Sequence, residues 1–179
     1  MKIAGLIKND IVNGIGVCVS LFVQGCPHRC IGCHNPETWD FEGGTTNVDI
    51  KGTIIKAICA NGIQRNFSIL GGEPLCPENV KDVRDVIAAV KTAYPNIKIF
   101  LWTGYELNEL LERNSEESLA YILDNIDYLI DGRFIKEKQD MCLWLRGSRN
   151  QNVYKLTEEK KFVIINKEEI EKECNNGGI

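Results

Sequence analysis

The sequence predicts an α/β fold: a mostly parallel, curved sheet with outer helices, forming a partial (β/α) barrel. Three observations predict it. Short, β-branched apolar runs alternate with segments whose apolar residues recur at helical spacing. Each run ends in a polar or glycine-containing turn, as a strand does where it hands over to a crossover helix. Only about four such units fit within 179 residues, whereas a full eight-fold barrel takes roughly 250.

Residues 17–23 (VCVSLFV) form an unbroken apolar run and predict a buried strand that leads into a cysteine-bearing loop. Polar, glycine-containing residues 40–47 follow. Ile50, Ile54, Ile55 and Ile58 predict a helix stopped by Asn61-Gly62. Residues 67–70 (FSIL) predict a short strand ending at Gly71-Gly72. Val80, Val83, Ile87 and Val90 give the inner face of a second helix, opening just after Pro77. Residues 97–102 (IKIFLW) predict the next strand, ending at Thr103-Gly104. Leu107, Leu110 and Leu111, then Leu119, Ile122 and Leu123, predict helical segments with a break near Asn114-Ser115. Residues 128–130 (YLI) predict a strand ending at Asp131-Gly132, and residues 162–165 (FVII) a late one. Residues 175–179 are expected to fray.

In such sheets, sites assemble at the C-terminal ends of the strands. The cysteine loop, Gly71-Gly72-Glu73-Pro74, Thr103-Gly104 and Asp131-Gly132 are therefore expected on one face. No repeat, low-complexity segment or linker divides the chain, so residues 1–179 are read as a single domain.

The composition is 44% hydrophobic and 26% charged, ordinary for a globular chain that can bury a core. A net charge of -4 gives no electrostatic reason to bind nucleic acid or anionic lipid. No run of about 18 apolar residues predicts a membrane span, and the apolar patch at the start is too short for a signal-peptide core. A cytoplasmic location is expected, where eight cysteines are ligands, reactive thiols or small buried hydrophobes rather than disulfides.

Three of those cysteines fall within eight residues, in Cys26-Pro27-His28-Arg29-Cys30-Ile31-Gly32-Cys33-His34-Asn35. Thiolates at C-x3-C-x2-C spacing can wrap one iron–sulfur cluster. Three ligands for four irons leave one iron open, which a catalytic site needs and a structural site lacks. The competing reading is structural zinc. It needs a fourth ligand, and both histidines of the chain, His28 and His34, lie inside the same loop, where completing a tetrahedron with their own neighbours is hard. Chance clustering is the other alternative.

The cysteine motif after the first buried strand, with Gly71-Gly72-Glu73-Pro74 after the second, resembles the radical S-adenosylmethionine superfamily. Residues 33–39 (CHNPETW) resemble its glycyl-radical-enzyme activases. Residues 102–105 (WTGY), 130–134 (IDGRF) and 146–151 (RGSRNQ) resemble one branch, the activating proteins of anaerobic (class III) ribonucleoside-triphosphate reductases. The likeness runs in order along nearly the whole chain to about Gln151.

The resemblance implies a partial barrel of the radical S-adenosylmethionine type. It also implies a 4Fe–4S cluster on Cys26, Cys30 and Cys33 whose open iron binds S-adenosylmethionine. A reduced cluster breaks the C5′–S bond, and the resulting 5′-deoxyadenosyl radical takes hydrogen from a glycine Cα. The implied partners are the large subunit of the reductase and a low-potential electron donor such as flavodoxin. An activase of another glycyl-radical enzyme, such as pyruvate formate-lyase, is the near alternative. A non-enzymatic zinc or iron–sulfur module is the alternative from another class.

Residue roles follow from the same likeness, with no side chain assigned as catalytic. The backbone of Gly32, Cys33 and His34 is placed near the adenine, or Gly32 merely eases the turn and His34 sits in solvent. Gly71, Gly72 and Glu73 resemble the motif that holds the methionyl ammonium, against an ordinary strand-to-helix turn fixed by Pro74. Thr103, Asp131 and Arg133 are candidates for the ribose and carboxylate region, against helix capping and a turn aspartate. Related activases carry aspartate where Trp102 stands, a departure at the position implied for a monovalent cation. Trp39 and Phe41 are expected to pack the cluster loop, and Cys76 to stand by. Cys18, Cys59, Cys142 and Cys174 are read as core fillers. Residues 147–151 are read as a turn or as lining for the partner's glycyl loop. Residues 155–161 and 167–173 are read as charged surface.

Overall fold

The protein's structure, a computed structural model, describes residues 1–113 and 115–169. Asn114, Cys174 and the C-terminal end of the chain, each given a reading above, lie outside the described residues. Seven strands form one open, mixed sheet in chain order. They are β1 (Ile3–Asp10), β2 (Cys18–Val23), β3 (Asn66–Gly71), β4 (Ile99–Trp102), β5 (Tyr128–Asp131), β6 (Asn152–Leu156) and β7 (Phe162–Ile164). β2 to β5 run parallel, while β1 joins one edge and β6 and β7 the other in antiparallel sense. The crossovers carry α1 (Ile50–Ile58), α2 (Val80–Ala93), α3 (Leu107–Glu112) and α4 (Glu117–Asn125).

Strand periodicity divides the core between the two faces of the sheet. Val19, Leu21, Phe67, Ile69, Ile99, Leu101 and Leu129 are fully buried against the apolar stripes of the helices, including Ile54, Val83, Ile87 and Ile122. The alternate residues face the other way. There Phe100 stacks on Tyr128 at 4.6 Å, with Trp102, Trp144 and Leu145 packed around them. Two chain segments cover this second face. The link between β1 and β2 is fastened by Ser68 Oγ donating to Asn13 O and Asn66 Nδ2 donating to Ile15 O. The segment before β6 is fastened by Trp102 Nε1 donating to Leu145 O at 2.7 Å.

Local chemistry sets the element ends. Asp49 accepts from Gly52 N at 3.1 Å and opens α1 as an N-cap. That helix closes at Ile58, before the Asn61-Gly62 stop expected from sequence, because Ala60–Gly62 tightens into a 3-10 turn with Asn61 at φ 59°. α2 opens at Val80, two residues beyond the expected start, since a turn fills the interval after Pro77. The sequence reading missed β1 and β6. β1 is an exposed edge strand that buries only Ile3 and Asp10, so no clean alternation marks it. β6 has one buried residue, Val153, and overlaps the charged stretch read above as surface.

Candidate functional site

A cavity of about 380 Å³ opens at the C-terminal ends of the parallel strands, within the range of small-molecule sites. Its walls bring together Cys26, Cys30, Cys33, His34, Gly71, Gly72, Glu73, Thr103 and Arg133. Four separate strand ends thus deliver the residues singled out from sequence to one space.

The cysteine loop leaves β2 and folds back on its own base. Gly25 N donates to Thr38 O (2.8 Å), Cys26 N to Trp39 O (3.1 Å), and Gln24 Nε2 to Asp40 O (2.7 Å). Gly25 has φ +92°, and a Cβ there would fall 2.2 Å from the Phe41 ring, so aromatic packing seals the base as expected. Trp39 lines the cavity itself. Arg29 and Gly32 adopt left-handed φ, and Cys33 N closes the last turn onto Cys30 O at 3.0 Å.

All three thiols are half-buried and each accepts backbone N–H groups. Cys26 receives those of His28 and Arg29, Cys30 that of Phe134, and Cys33 that of Asn35 at 3.4 Å. Burial pushes the Cys26 and Cys30 thiols up, and these amides act in the opposite direction by favouring the thiolate. Arg133, exposed at the cavity wall, adds its positive charge near Cys30. Among the described residues, no three His, Cys, Asp or Glu side chains gather around a single-ion centre.

The Gly-Gly-Glu-Pro turn interlocks with the base of this loop. Gly72 N donates to Val23 O (2.8 Å) and Glu73 N to Gly25 O (2.7 Å). Asn79 Nδ2 bridges Gln24 O and Glu73 O at 2.9 and 3.0 Å. The far wall is the segment after Arg146. Gln151 Oε1 accepts from Gly147 N and Ser148 N, and its Nε2 donates to Gly132 O at 2.8 Å, which fixes residues 147–151 beside β5.

A family model described as a 4Fe-4S single cluster domain matches residues 12–154. The anaerobic ribonucleoside-triphosphate reductase-activating protein of Vibrio cholerae is 40% identical over 157 residues, covering 83% of this chain and 94% of its own. The protein of that name from Escherichia coli K12 is 38% identical over 149 residues, covering 82% of this chain and 94% of its own. One from Enterobacteria phage T4 is 34% identical over 149 residues, covering 83% and 90%. The chain belongs to the anaerobic ribonucleoside-triphosphate reductase-activating protein family.

Two of the candidate residues stand outside the wall of this cavity. Gly32 is exposed, and a Cβ there would meet Lys136 and Phe134 rather than open space. Asp131 is buried and braces two elements. Its Oδ2 accepts from Leu107 N (2.8 Å), opening α3, and its Oδ1 from Asn152 N and Nδ2 (both 3.1 Å) at β6. His34 lies 5.4 Å from the Phe134 ring. Sequence reasoning gave His28 no site role; its place in the motif was the available signal, but its partner, Glu73, lies 45 positions away. Val12 and Asn13 of the covering link also line the cavity, without any motif that marks them, as does Arg146, which opens the RGSRNQ stretch but was given no site role.

The scattered cysteines divide by burial, which corrects part of the core-filler reading. Cys18 and Cys76 are buried, whereas Cys59 and Cys142 are exposed, the first at the open end of α1 and the second in a surface loop. Burial pushes the Cys18 thiol up to about 11 and the Cys76 thiol to about 12. A raised thiol value keeps the unreactive S–H form, so at pH 8 only about one in a thousand Cys18 thiols is ionised, and fewer at Cys76. Native alkylation with iodoacetamide at pH 8 should therefore modify Cys59 and Cys142 first and spare Cys18 and Cys76. Peptide mass spectrometry checks this.

Proposed function

We propose that the chain is a radical S-adenosylmethionine activase that installs a glycyl radical on the large subunit of an anaerobic ribonucleoside-triphosphate reductase. The observation that carries this reading is the convergence of three amide-bonded thiols and the Gly71-Gly72-Glu73 turn on one cavity. The donor set fits a site-differentiated 4Fe–4S cluster. Cys26, Cys30 and Cys33 would hold three irons, their N–H···S bonds favour the bound thiolates, and His28 is engaged with Glu73.

When bound and reduced, the cluster would give one electron to the sulfonium of S-adenosylmethionine, releasing methionine and a 5′-deoxyadenosyl radical able to take hydrogen from a glycine Cα. The chain's own residues bind, orient and exclude water. Gly71 and Gly72 form the wall for the methionyl group, Arg133 offers a cation to its carboxylate, and Thr103 ties the end of β4 to Glu73. Residues 32–34 are proposed for the adenine side. Leu70, Trp102 and Trp39 give the cavity apolar surface, which limits water around a reactive carbon radical. A partial barrel of the radical S-adenosylmethionine type remains the proposed fold for the open mixed sheet, whose four central strands run parallel with crossover helices between them. The electron comes from a low-potential donor such as flavodoxin.

Structural zinc needs a fourth ligand, and His28 beside the three cysteines is instead turned to Glu73, which favours a site-differentiated cluster over zinc. Anaerobic reconstitution with iron and sulfide should give a brown protein that cleaves S-adenosylmethionine under strong reduction. Mixed with the anaerobic reductase, it should produce a glycyl radical signal by electron paramagnetic resonance. A colourless zinc protein without cleavage overturns the proposal, and a signal on pyruvate formate-lyase alone reassigns the partner.

A further inference from the structure

The Glu73 carboxylate is 1% exposed and surrounded by donors. Oε1 accepts from Leu75 N (2.9 Å) and Thr103 Oγ1 (2.7 Å). Oε2 accepts from Gly104 N (2.7 Å) and stands 3.0 Å from His28 Nε2. A carboxylate has about four lone-pair sites, and these four donors take them all. No oxygen lone pair is left for a ligand ammonium. Three of the donors come from outside the turn that carries Glu73: two from the end of β4, and one, His28, from the cysteine loop.

His28 is built into this position. Its side chain is 5% exposed and meets Tyr105 edge-on, with ring centroids 4.6 Å apart at 75°. Gly104 makes room for it, since a Cβ there would fall 2.4 Å from His28 Cδ2. Tyr105 in turn lies 4.9 Å below the Arg113 guanidinium. The ring therefore joins the span between Cys26 and Cys30 to the β3 and β4 ends by a charge-assisted hydrogen bond, the stronger kind of side-chain bond.

We infer that Glu73 is an anchor rather than a ligand contact, and that His28 is the positioning residue through which it holds the cluster loop against the Gly71-Gly72 turn. The inference rests on the proposed cluster and S-adenosylmethionine site. It assigns recognition of the methionyl ammonium to backbone carbonyls of the glycine turn. It makes the distance between cluster and turn depend on a side chain that touches neither cofactor. Outer-shell partners of this kind set ligand geometry, and their loss costs about 10–100-fold.

The test is a titration of the reduced, reconstituted protein with S-adenosylmethionine, read by electron paramagnetic resonance and accompanied by iron and sulfide analysis. His28→Ala leaves the three thiols and their amide donors in place, so it should retain wild-type iron and sulfide. Its half-point for the cofactor-induced spectral change should rise about 10–100-fold. His28→Gln places an amide N–H within reach of Glu73 and should recover most of that loss. If His28→Ala does not fold, His28→Asn, too short to reach Glu73, takes its place with the same expectation. A half-point within about threefold of wild type in the Ala or Asn variant overturns the inference, as does a Gln variant no better than Ala. A wild-type cluster whose spectrum ignores S-adenosylmethionine overturns the underlying reading, and the anchor with it.

Discussion

Replacing Cys30 by alanine should abolish S-adenosylmethionine cleavage while leaving the fold almost untouched. Cys30 is half-buried on a loop and belongs to neither hydrophobic cluster, so its removal should change stability by no more than about 0.5 kcal/mol. What it contributes is one sulfur, held by the Phe134 amide and facing the same cavity as Cys26 and Cys33. Under the proposed mechanism, with two thiolates left the cluster would lose a corner and the electron needed to break the carbon–sulfur bond would have no source. The expected loss is at least about a thousandfold, or about 4 kcal/mol of barrier. Iron analysis should fall with it, while circular dichroism and the melting temperature of the metal-free protein stay near wild type. Cys142→Ala, at an exposed position outside the cavity, is the control and should retain both iron and cleavage. A fully active Cys30→Ala variant would remove the ligand assignment altogether.

The contrast between these two cysteines shows what a sequence can carry. C-x3-C-x2-C spacing is a local property, so the sequence alone brings those three sulfurs onto one short loop, while more distant partners such as Phe134 and Glu73 fix where that loop sits. The parallel strands were legible for a related reason: each is buried on both faces, so β2 reads as a continuous apolar run and its end reads as a turn. β1, an edge strand, and β6, held between β5 and β7 but with only Val153 buried, were not, because neither carries a continuous apolar run. The covering link through Val12 and Asn13 was not, because its only marks are glycines and a hydrogen bond to Ser68. Glu73 illustrates the deepest limit. Its motif was visible, but its engagement by His28, Thr103 and Gly104 depends on residues 30 to 45 positions away. The glycyl-loop question for residues 147–151 is likewise tertiary, since Gln151 turns that segment into a wall only by reaching Gly132.

Gly72→Ala should be strongly destabilising. The two glycines of the turn serve different ends. Gly71 holds φ +104°, a conformation that an L side chain rarely adopts, and a Cβ there would also fall 2.8 Å from Phe22 Cα. Gly72 has an ordinary backbone but no space: a Cβ would fall 2.4 Å from Gly25 O, 2.9 Å from Gly25 C and 3.1 Å from Gly25 N. These are backbone atoms, so no rotamer change relieves the clash. The base of the cysteine loop and the turn must move apart. Moving them strains the Glu73 N to Gly25 O bond and the Asn79 bridge, both in buried surroundings. Overpacking of this kind costs about 1–3 kcal/mol, and the strained bonds put the expectation at the upper end. At about 2–4 °C per kcal/mol for a chain of this size, the melting temperature should fall by roughly 6–12 °C. Gly5→Ala, where a Cβ meets nothing within 4 Å, should melt like wild type. The same displacement separates the cluster loop from the methionyl wall without touching a sulfur. Gly72→Ala protein that folds should therefore keep its iron and lose its response to S-adenosylmethionine. A variant that melts with wild type and responds normally would show that the two loops are not interlocked at this glycine.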